Sequence, residues 1–304
     1  MGRELPVAAR ALKRALWKLR PVQSLHNLRR ARRDAARLDP RQPHGAPILV
    51  YQMAKVGSTT VQATLDSLDP PRRPCIKLHF LSPEGVRRER ALDRRVGGPA
   101  YVSYYGAIGR ALGARLRRVG GQLQLPVISL VRDPIARQVS GLFQSPDFAS
   151  VPLRDAKGRF DVDRVLAYLE ERFLAADPAG AAERWFEEEL RSVFGVDVFA
   201  QPFPRERGYT LMRSRAASVL VLRTEDLDHT LGPALMELLD LPKAPAIVRS
   251  NLRDRTAHAA DYAEVRARFR LPREIVDEIY ARRLTQHFYP EAMIVEFKRR
   301  WTRA

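Results

Sequence analysis

Cysteine is almost absent: Cys75 is the only one in 304 residues. That excludes an intramolecular disulfide and any cysteine-built metal centre, and it suits a reducing cytoplasm. Long apolar runs are missing as well. Although 45% of residues are hydrophobic, no stretch approaches the roughly 18 to 20 residues needed to span a bilayer. The start shows no signal-peptide core, because Val7-Ala8-Ala9 is interrupted by Arg10. No H-E-x-x-H, no D-x-D-x-D and no cluster of His and Cys occurs, so no metal is expected. The Walker A pattern G-x-x-x-x-G-K-[ST] is lacking, as are internal repeats and low-complexity tracts. Acidic residues are in deficit: 35 Asp and Glu face 53 Lys and Arg, a net charge of +18.

What is present begins with an apolar run, Ile48 to Tyr51, that reads as a buried parallel strand. It leads into Lys55-Val-Gly57-Ser58-Thr59-Thr60 and then into a helical pattern through Leu68. A strand, a short loop and a helix start make an anion cradle. The N–H groups of the first turn and the positive end of the helix dipole converge on one place. Lys55 adds a charge and the three hydroxyls add donors, which suits a phosphate or sulfate. The plainer reading is a helix capped by Ser58 or Thr59. A second junction has the same form: Leu125 to Val131 is a buried-strand run followed by Arg132-Asp133-Pro134 and by Arg137, Ser140 and Phe143. Pro134 suits the first helical position. Arg132 then lies at the carboxyl end of a strand, where open α/β sheets bind ligands. A guanidinium and the Ser140 hydroxyl aimed at one spot would hold a second phosphate. The plainer reading here is a surface Arg132–Asp133 pair beside a capped helix.

Taken together, the K-x-G-S-T loop at Lys55–Thr60 and the R-D-P-x-x-R-x-x-S-x-x-F segment at Arg132–Phe143 resemble the sulfotransferase superfamily. Val219 to Leu227, ending Glu225-Asp226-Leu227, is similar to that family's late strand, and His287-Phe288-Tyr289 to the ending of its carbohydrate-directed members. Trp185-Phe-Glu-Glu-Glu-Leu with Phe194 to Val198 resembles a bacterial capsular polysaccharide synthesis group. The resemblance spans about residues 46 to 298. It implies a P-loop-like central parallel sheet flanked by helices, with PAPS (3′-phosphoadenosine 5′-phosphosulfate) as co-substrate. Lys55, Gly57, Ser58, Thr59 and Thr60 would hold the 5′-phosphosulfate, and Arg132 and Ser140 the 3′-phosphate. The acceptor it implies is a hydroxyl of a polysaccharide or glycolipid. Alternatives are a nucleotide-dependent phosphotransferase on a P-loop-like fold, and a non-catalytic relative that binds polyanions.

An alcohol needs a base at neutral pH. His79, at the carboxyl end of the strand expected at 75–80, is the leading candidate. Several carbohydrate sulfotransferases look similar there. Glu84 is the fallback, and His287 reads as structural. Lys55 would stabilise charge on the leaving oxygen. Arg223 or Arg213 could reach the nucleotide, and Asn251 and Arg253 could close on it.

Strands are expected at 47–53, 75–80, 100–105, 126–131 and 218–223, with a weaker one at 196–199. Helices are expected at 58–68, 107–119, 134–144, 161–175, 180–193, 229–240, 258–269 and 272–284. The helical stretch 145–215 reads as an acceptor-side insertion. Residues 45–304 read as one catalytic domain, preceded by a basic segment, 1–44. There the basic residues from Arg3 to Arg41 are opposed only by Glu4, Asp34 and Asp39. Ala8 to Leu19 reads as a basic amphipathic helix suited to an anionic membrane surface, and a helix packed on the body or a free arm is the alternative. Nucleic acid is disfavoured, since no stacking aromatics, zinc knuckle or helix-turn-helix accompany the charge.

Overall fold

Continuous apolar runs form the middle of the sheet. The computed structural model describes residues 19–38, 46–68, 73–119, 124–144, 149, 151–155, 157–175, 178–250 and 259–303. Five strands form one sheet in the order β2-β1-β3-β5-β4. They are β1 (Ile48–Tyr51), β2 (Cys75–Leu78), β3 (Leu125–Val131), β4 (Tyr209–Arg213) and β5 (Ala217–Arg223). The central strands β1 and β3 are buried at every position, which is why they read as unbroken hydrophobic runs rather than alternating ones. β1 pairs parallel to β2 from Ile48↔Cys75 to Tyr51↔Leu78, and β3 parallel to β5 from Leu125↔Ala217 to Val131↔Arg223. β4 alone runs antiparallel, along β5.

The flanking helices, in chain order, are α1 (Arg20–Ala36), α2 (Ser58–Asp66), α3 (Pro83–Gly97), α4 (Tyr104–Val119), α5 (Pro134–Gln144) and α6 (Val162–Ala175). Then α7 (Pro178–Trp185) runs into a π-helical turn (Phe186–Arg191) and a last turn, Ser192–Phe194. After β5 come α8 (Leu227–Leu239), α9 (Ala259–Arg268), α10 (Arg273–Ala281), α11 (Arg283–Phe288) and α12 (Glu291–Trp301). The protein is thus a mixed α/β fold with a five-stranded central sheet flanked by helices. Ala8 to Lys18, Asn251 and Arg253 lie outside the described residues.

Two expected strands are not strands. At 100–105 the aromatic residues suggested one, but the Ser103 hydroxyl accepts from Gly106 N at 3.0 Å and starts α4 at Tyr104. At 196–199 the Asp197 carboxylate accepts from Phe199 N at 2.9 Å, and the chain turns instead of extending. The edge strand β4 and helices α1, α3 and α12 were not expected. Ser82 caps α3 by accepting from Gly85 N at 2.9 Å, with Pro83 at the first position.

One buried carboxyl group ties α10 and α12 to the loop after β3. Asp133, directly after β3, is 1% exposed. It accepts from Ile135 N at 3.0 Å, from the Tyr280 hydroxyl of α10 at 2.7 Å and from the Trp301 indole N–H of α12 at 2.8 Å. A surface Arg132–Asp133 pair is therefore not what forms. Hydrogen bonds to a charged group contribute about 1.5–3 kcal/mol each, so Tyr280→Phe should lower stability by about that amount in urea denaturation. A loss under about 0.5 kcal/mol would mean that the carboxyl group does not hold α10 in place.

Candidate functional site

Parallel strands end together, and here four of them end on the candidate chemistry. Lys55 to Thr60 follow β1, His79 follows β2, Arg132 follows β3, and Thr224 and Glu225 follow β5. Because β1 lies between β2 and β3, the connections leave β1 in opposite directions. The crevice between the ends of β1 and β3 is a topological switch point, the ligand position of open α/β sheets.

The first loop is tightly wound. Lys55 has φ 70° and Gly57 φ 88°, a left-handed conformation that only glycine adopts without strain. Glycine is needed at 57 for a second reason: a Cβ there would lie 2.9 Å from the Thr224 methyl carbon and 3.1 Å from Leu227. Gly57 is itself the N-cap residue of α2 and supplies no side-chain cap. Ser58, Thr59 and Thr60 are thus the first helical positions rather than the cap. The loop is suspended from its neighbours by its carbonyl oxygens. Arg132 Nη1 donates to the Lys55 carbonyl at 3.0 Å. The Thr224 hydroxyl sits between the carbonyls of Val56 (2.6 Å) and Val131 (2.9 Å). These bonds hold the loop by its main chain, so its winding is set by the neighbouring loops.

The second junction converges on the first. A Cβ on Gly141 would lie 3.9 Å from Lys55 Cγ, so the lysine side chain passes alongside α5 at that position. Ser140 is fully buried and its hydroxyl has no hydrogen-bond partner. The amide of Gln52, at the end of β1, is in the same state. Buried polar groups are nearly always bonded, so these two call for a partner, a water or a ligand, that the described side chains do not supply. Arg137 is held down to about 10 by burial and by the neighbouring positive charges of Arg132 and Arg172. Arg172, from α6, was not singled out in the sequence. Three guanidinium groups near one another make a positive field suited to an anion.

His79 sits with its Nδ1 2.9 Å from the Gln52 carbonyl. A carbonyl can only accept, so the neutral ring carries its proton on Nδ1 and Nε2 keeps its lone pair. Burial pushes the imidazole below its ordinary range, which keeps it neutral at pH 7. Tyr105 stacks on the ring at 4.7 Å between centroids. Glu84 lies in the first turn of α3, exposed and paired with Arg87, which holds it below the ordinary carboxylate value. That makes it the weaker base of the two.

The loop that carries His79 is gripped from the insertion. Trp185 donates its indole N–H to the His79 carbonyl at 2.9 Å. Four residues on, in the π-helical turn, the fully buried Glu189 accepts from Leu81 N (2.8 Å), Ser82 N (2.9 Å), the Ser82 hydroxyl (2.6 Å) and the Tyr51 hydroxyl. Burial and the adjacent Glu189 push Tyr51 well above its ordinary value, so it remains a donor. Gly85 admits this carboxylate, since a Cβ there would lie 2.0 Å from Glu189 Oε1. π-Helical turns inside α-helices are frequent at functional sites.

The late motifs act as scaffold. Glu225 accepts from Asp133 N at 2.9 Å and from the Tyr289 hydroxyl at 3.1 Å, and burial raises it to about 7. Arg223 is buried, bound to Asp226 and to the Phe288 carbonyl at 3.0 Å. Arg213 pairs with Ser218 at the opposite end of the sheet. His287 lies among Phe199, Phe203 and Phe288 and lines an open concavity of about 370 Å³ with Arg205.

A family model described as "Putative capsular polysaccharide synthesis protein" matches residues 157–290. The match contains Trp185, Glu189, Glu225 and His287 and lies after the two strand-to-helix junctions. No curated protein matches the chain, and no solved structure does.

Glu189→Gln puts an amide donor where an oxygen now accepts. It should cost about 1–3 kcal/mol in urea denaturation and let the His79 ring populate both neutral tautomers in imidazole ¹⁵N NMR. Unchanged stability and a single Nδ1–H tautomer would remove Glu189 from the support of His79. For Glu225 the sign follows from its raised value. The folded chain holds that proton more tightly than the unfolded chain, whose glutamate titrates near the ordinary 4.5. The resulting stability is full below about 4.5 and is lost as pH rises through about 7. Glu225→Gln should flatten stability against pH between those values, and a profile parallel to the wild type would disprove the assignment.

Proposed function

We propose that the protein is a sulfotransferase that moves the sulfuryl group of PAPS to a hydroxyl of a carbohydrate acceptor, a polysaccharide or glycolipid, in the cytoplasm. The observation that carries this reading is the meeting of two anion-cradling junctions at the switch point, joined by Arg132 Nη1 and the Lys55 carbonyl. One junction offers Lys55, Gly57, Ser58, Thr59 and Thr60 to a 5′-phosphosulfate. The other offers Arg132 and the orphan Ser140 hydroxyl to a 3′-phosphate, a group that ATP lacks. The matched family description, capsular polysaccharide synthesis, supports a biosynthetic enzyme and a glycan acceptor.

In this reading the acceptor oxygen attacks sulfur as the bond from sulfur to the 5′-phosphate oxygen breaks. The acceptor proton goes to His79 Nε2, and the electron pair of the broken bond stays on the phosphate. Lys55 faces the oxygen on which that charge grows, where a cation accelerates the step because it interacts more strongly there than in the ground state. The Gln52 carbonyl holds the ring with Nε2 as the acceptor. No metal is required for this division of labour.

The test is calorimetric titration with 3′-phosphoadenosine 5′-phosphate, AMP and ATP at matched salt. The wild type should prefer the 3′,5′-bisphosphate. Ser140→Ala should weaken it by roughly tenfold, the value of one hydrogen bond to a charged group, and leave AMP unchanged. His79→Ala should leave bisphosphate affinity intact while sulfation of a glycan acceptor falls by about 10²–10⁴. Preference for ATP would replace this reading with phosphotransfer, and binding of no nucleotide would end the enzyme assignment.

A further inference from the structure

Helix α1 presents a face that its own fold leaves unused. Asp34 is the only acid between residues 19 and 38, and it is turned inward, where it accepts from the Tyr104 hydroxyl at 2.9 Å. Ser24 and Asn27 also face the body, bonding to the carbonyls of Ala100 (3.4 Å) and Val102 (2.9 Å). The opposite face holds no carboxylate. At about 100° per residue, Leu25, Arg29, Arg32 and Ala36 fall on one stripe, with Arg33, whose Nε lies 3.7 Å from Asp34, at its margin, and all are exposed. Leu19 and Leu25 stand 52% and 50% exposed. The neighbouring α4 contains no acidic residue and exposes Arg110, Arg117 and Arg118. Residues 19–38 and 104–119 together carry ten arginines and one acid.

We propose that the outward face of α1 docks on an anionic lipid surface. Its two ingredients select that partner over a soluble polyanion. Arginines alone would fit an acidic glycan equally well, but a hydrated glycan offers no apolar phase for Leu19 and Leu25. At a membrane the leucines enter the boundary of the acyl chains while the arginines reach the headgroup phosphates. Among the described residues no helix is long and apolar enough to cross a membrane, so the contact lies on the surface. The inference is independent of the reaction proposed above, since α1 contributes nothing to the site at the carboxyl edge.

The experiment is sedimentation of the full chain with vesicles of phosphatidylcholine alone and of phosphatidylcholine with about a third phosphatidylglycerol, alongside heparin binding. The wild type should bind the anionic vesicles, lose most of that binding in high salt, and ignore the neutral ones. Each arginine near such a surface is worth about fivefold, so Arg29→Gln/Arg32→Gln/Arg33→Gln should weaken binding about a hundredfold. Leu25→Ser should weaken vesicle binding several-fold and leave heparin binding unchanged. The altered residues are exposed, so unchanged circular dichroism and thermal midpoint would certify the fold of each variant. Vesicle binding unaffected by the triple substitution would overturn the proposal, as would binding to heparin without binding to anionic vesicles. Equal effects of Leu25→Ser on both would place an acidic glycan on this face instead.

Discussion

The carboxyl group of Asp133 is the contact on which the carboxyl edge of the sheet depends. A buried carboxyl group needs donors on both oxygens, or its burial costs several kcal/mol. Here the donors come from its own helix, from Tyr280 and from Trp301. Residues near the end of the chain are thereby brought under the loop after β3. The backbone of the same residue donates to Glu225, which fixes the loop after β5 against it. Thr224, next in line, then reaches the Val56 and Val131 carbonyls. Glu225, Thr224 and Arg132 thus join the three loops, while the Asp133 carboxyl ties the C-terminal helices to them. The strained Lys55 and Gly57 conformations are held by these bonds rather than by local preference.

The other half of the edge is organised by a second buried acid on a different principle. Glu189 receives two main-chain N–H groups and two hydroxyls from the end of β1 and the loop after β2. Main-chain donors cannot be lost by changing a side chain, so this grip constrains the path of the loop itself. His79 is the residue next to that path, and its ring is aligned by a carbonyl from β1. A donor cradle and a lone-pair-bearing imidazole are thereby set by separate carboxyl groups, Asp133 and Glu189. The two loops thus have separate supports, each of which can be disturbed alone.

What could be read in the sequence was what is local. β1, β3 and β5 were legible because buried parallel strands are unbroken apolar runs, and α2 and α5 because each follows such a run. β4 was missed since an edge strand needs only one apolar face, and Tyr209–Arg213 is mostly half-buried. Helices α1 and α3 were missed because their arginines hide a narrow inward stripe that itself includes an acid, Asp34 in α1 and Asp93 in α3. The loop residues Lys55 to Thr60 and the Arg132 to Ser140 segment announced themselves by residue type. Their supports did not. The Gln52 carbonyl is backbone and leaves no compositional trace. Glu189 lies more than a hundred positions from the loop it holds, and Arg172 reaches the arginine pair from another helix.

This division bears on what the insertion does. Residues 145–215 read as a cover for an acceptor, and their α7 and π-helical turn do face the carboxyl edge. Yet Trp185 and Glu189 spend their polar atoms on the loop after β2. The segment matched by the family model, 157–290, therefore supports the loop after β2, while the Lys55 and Arg132 loops lie outside it. Under the proposed reaction, an acceptor resting against that turn would touch the helix that holds the His79 loop, while the Gln52 carbonyl sets the tautomer of the ring. Any shift of the turn on acceptor binding would move the imidazole with it, because main-chain hydrogen bonds join them without a flexible side chain on the loop's side. The turn and the His79 loop thus form one hydrogen-bonded unit.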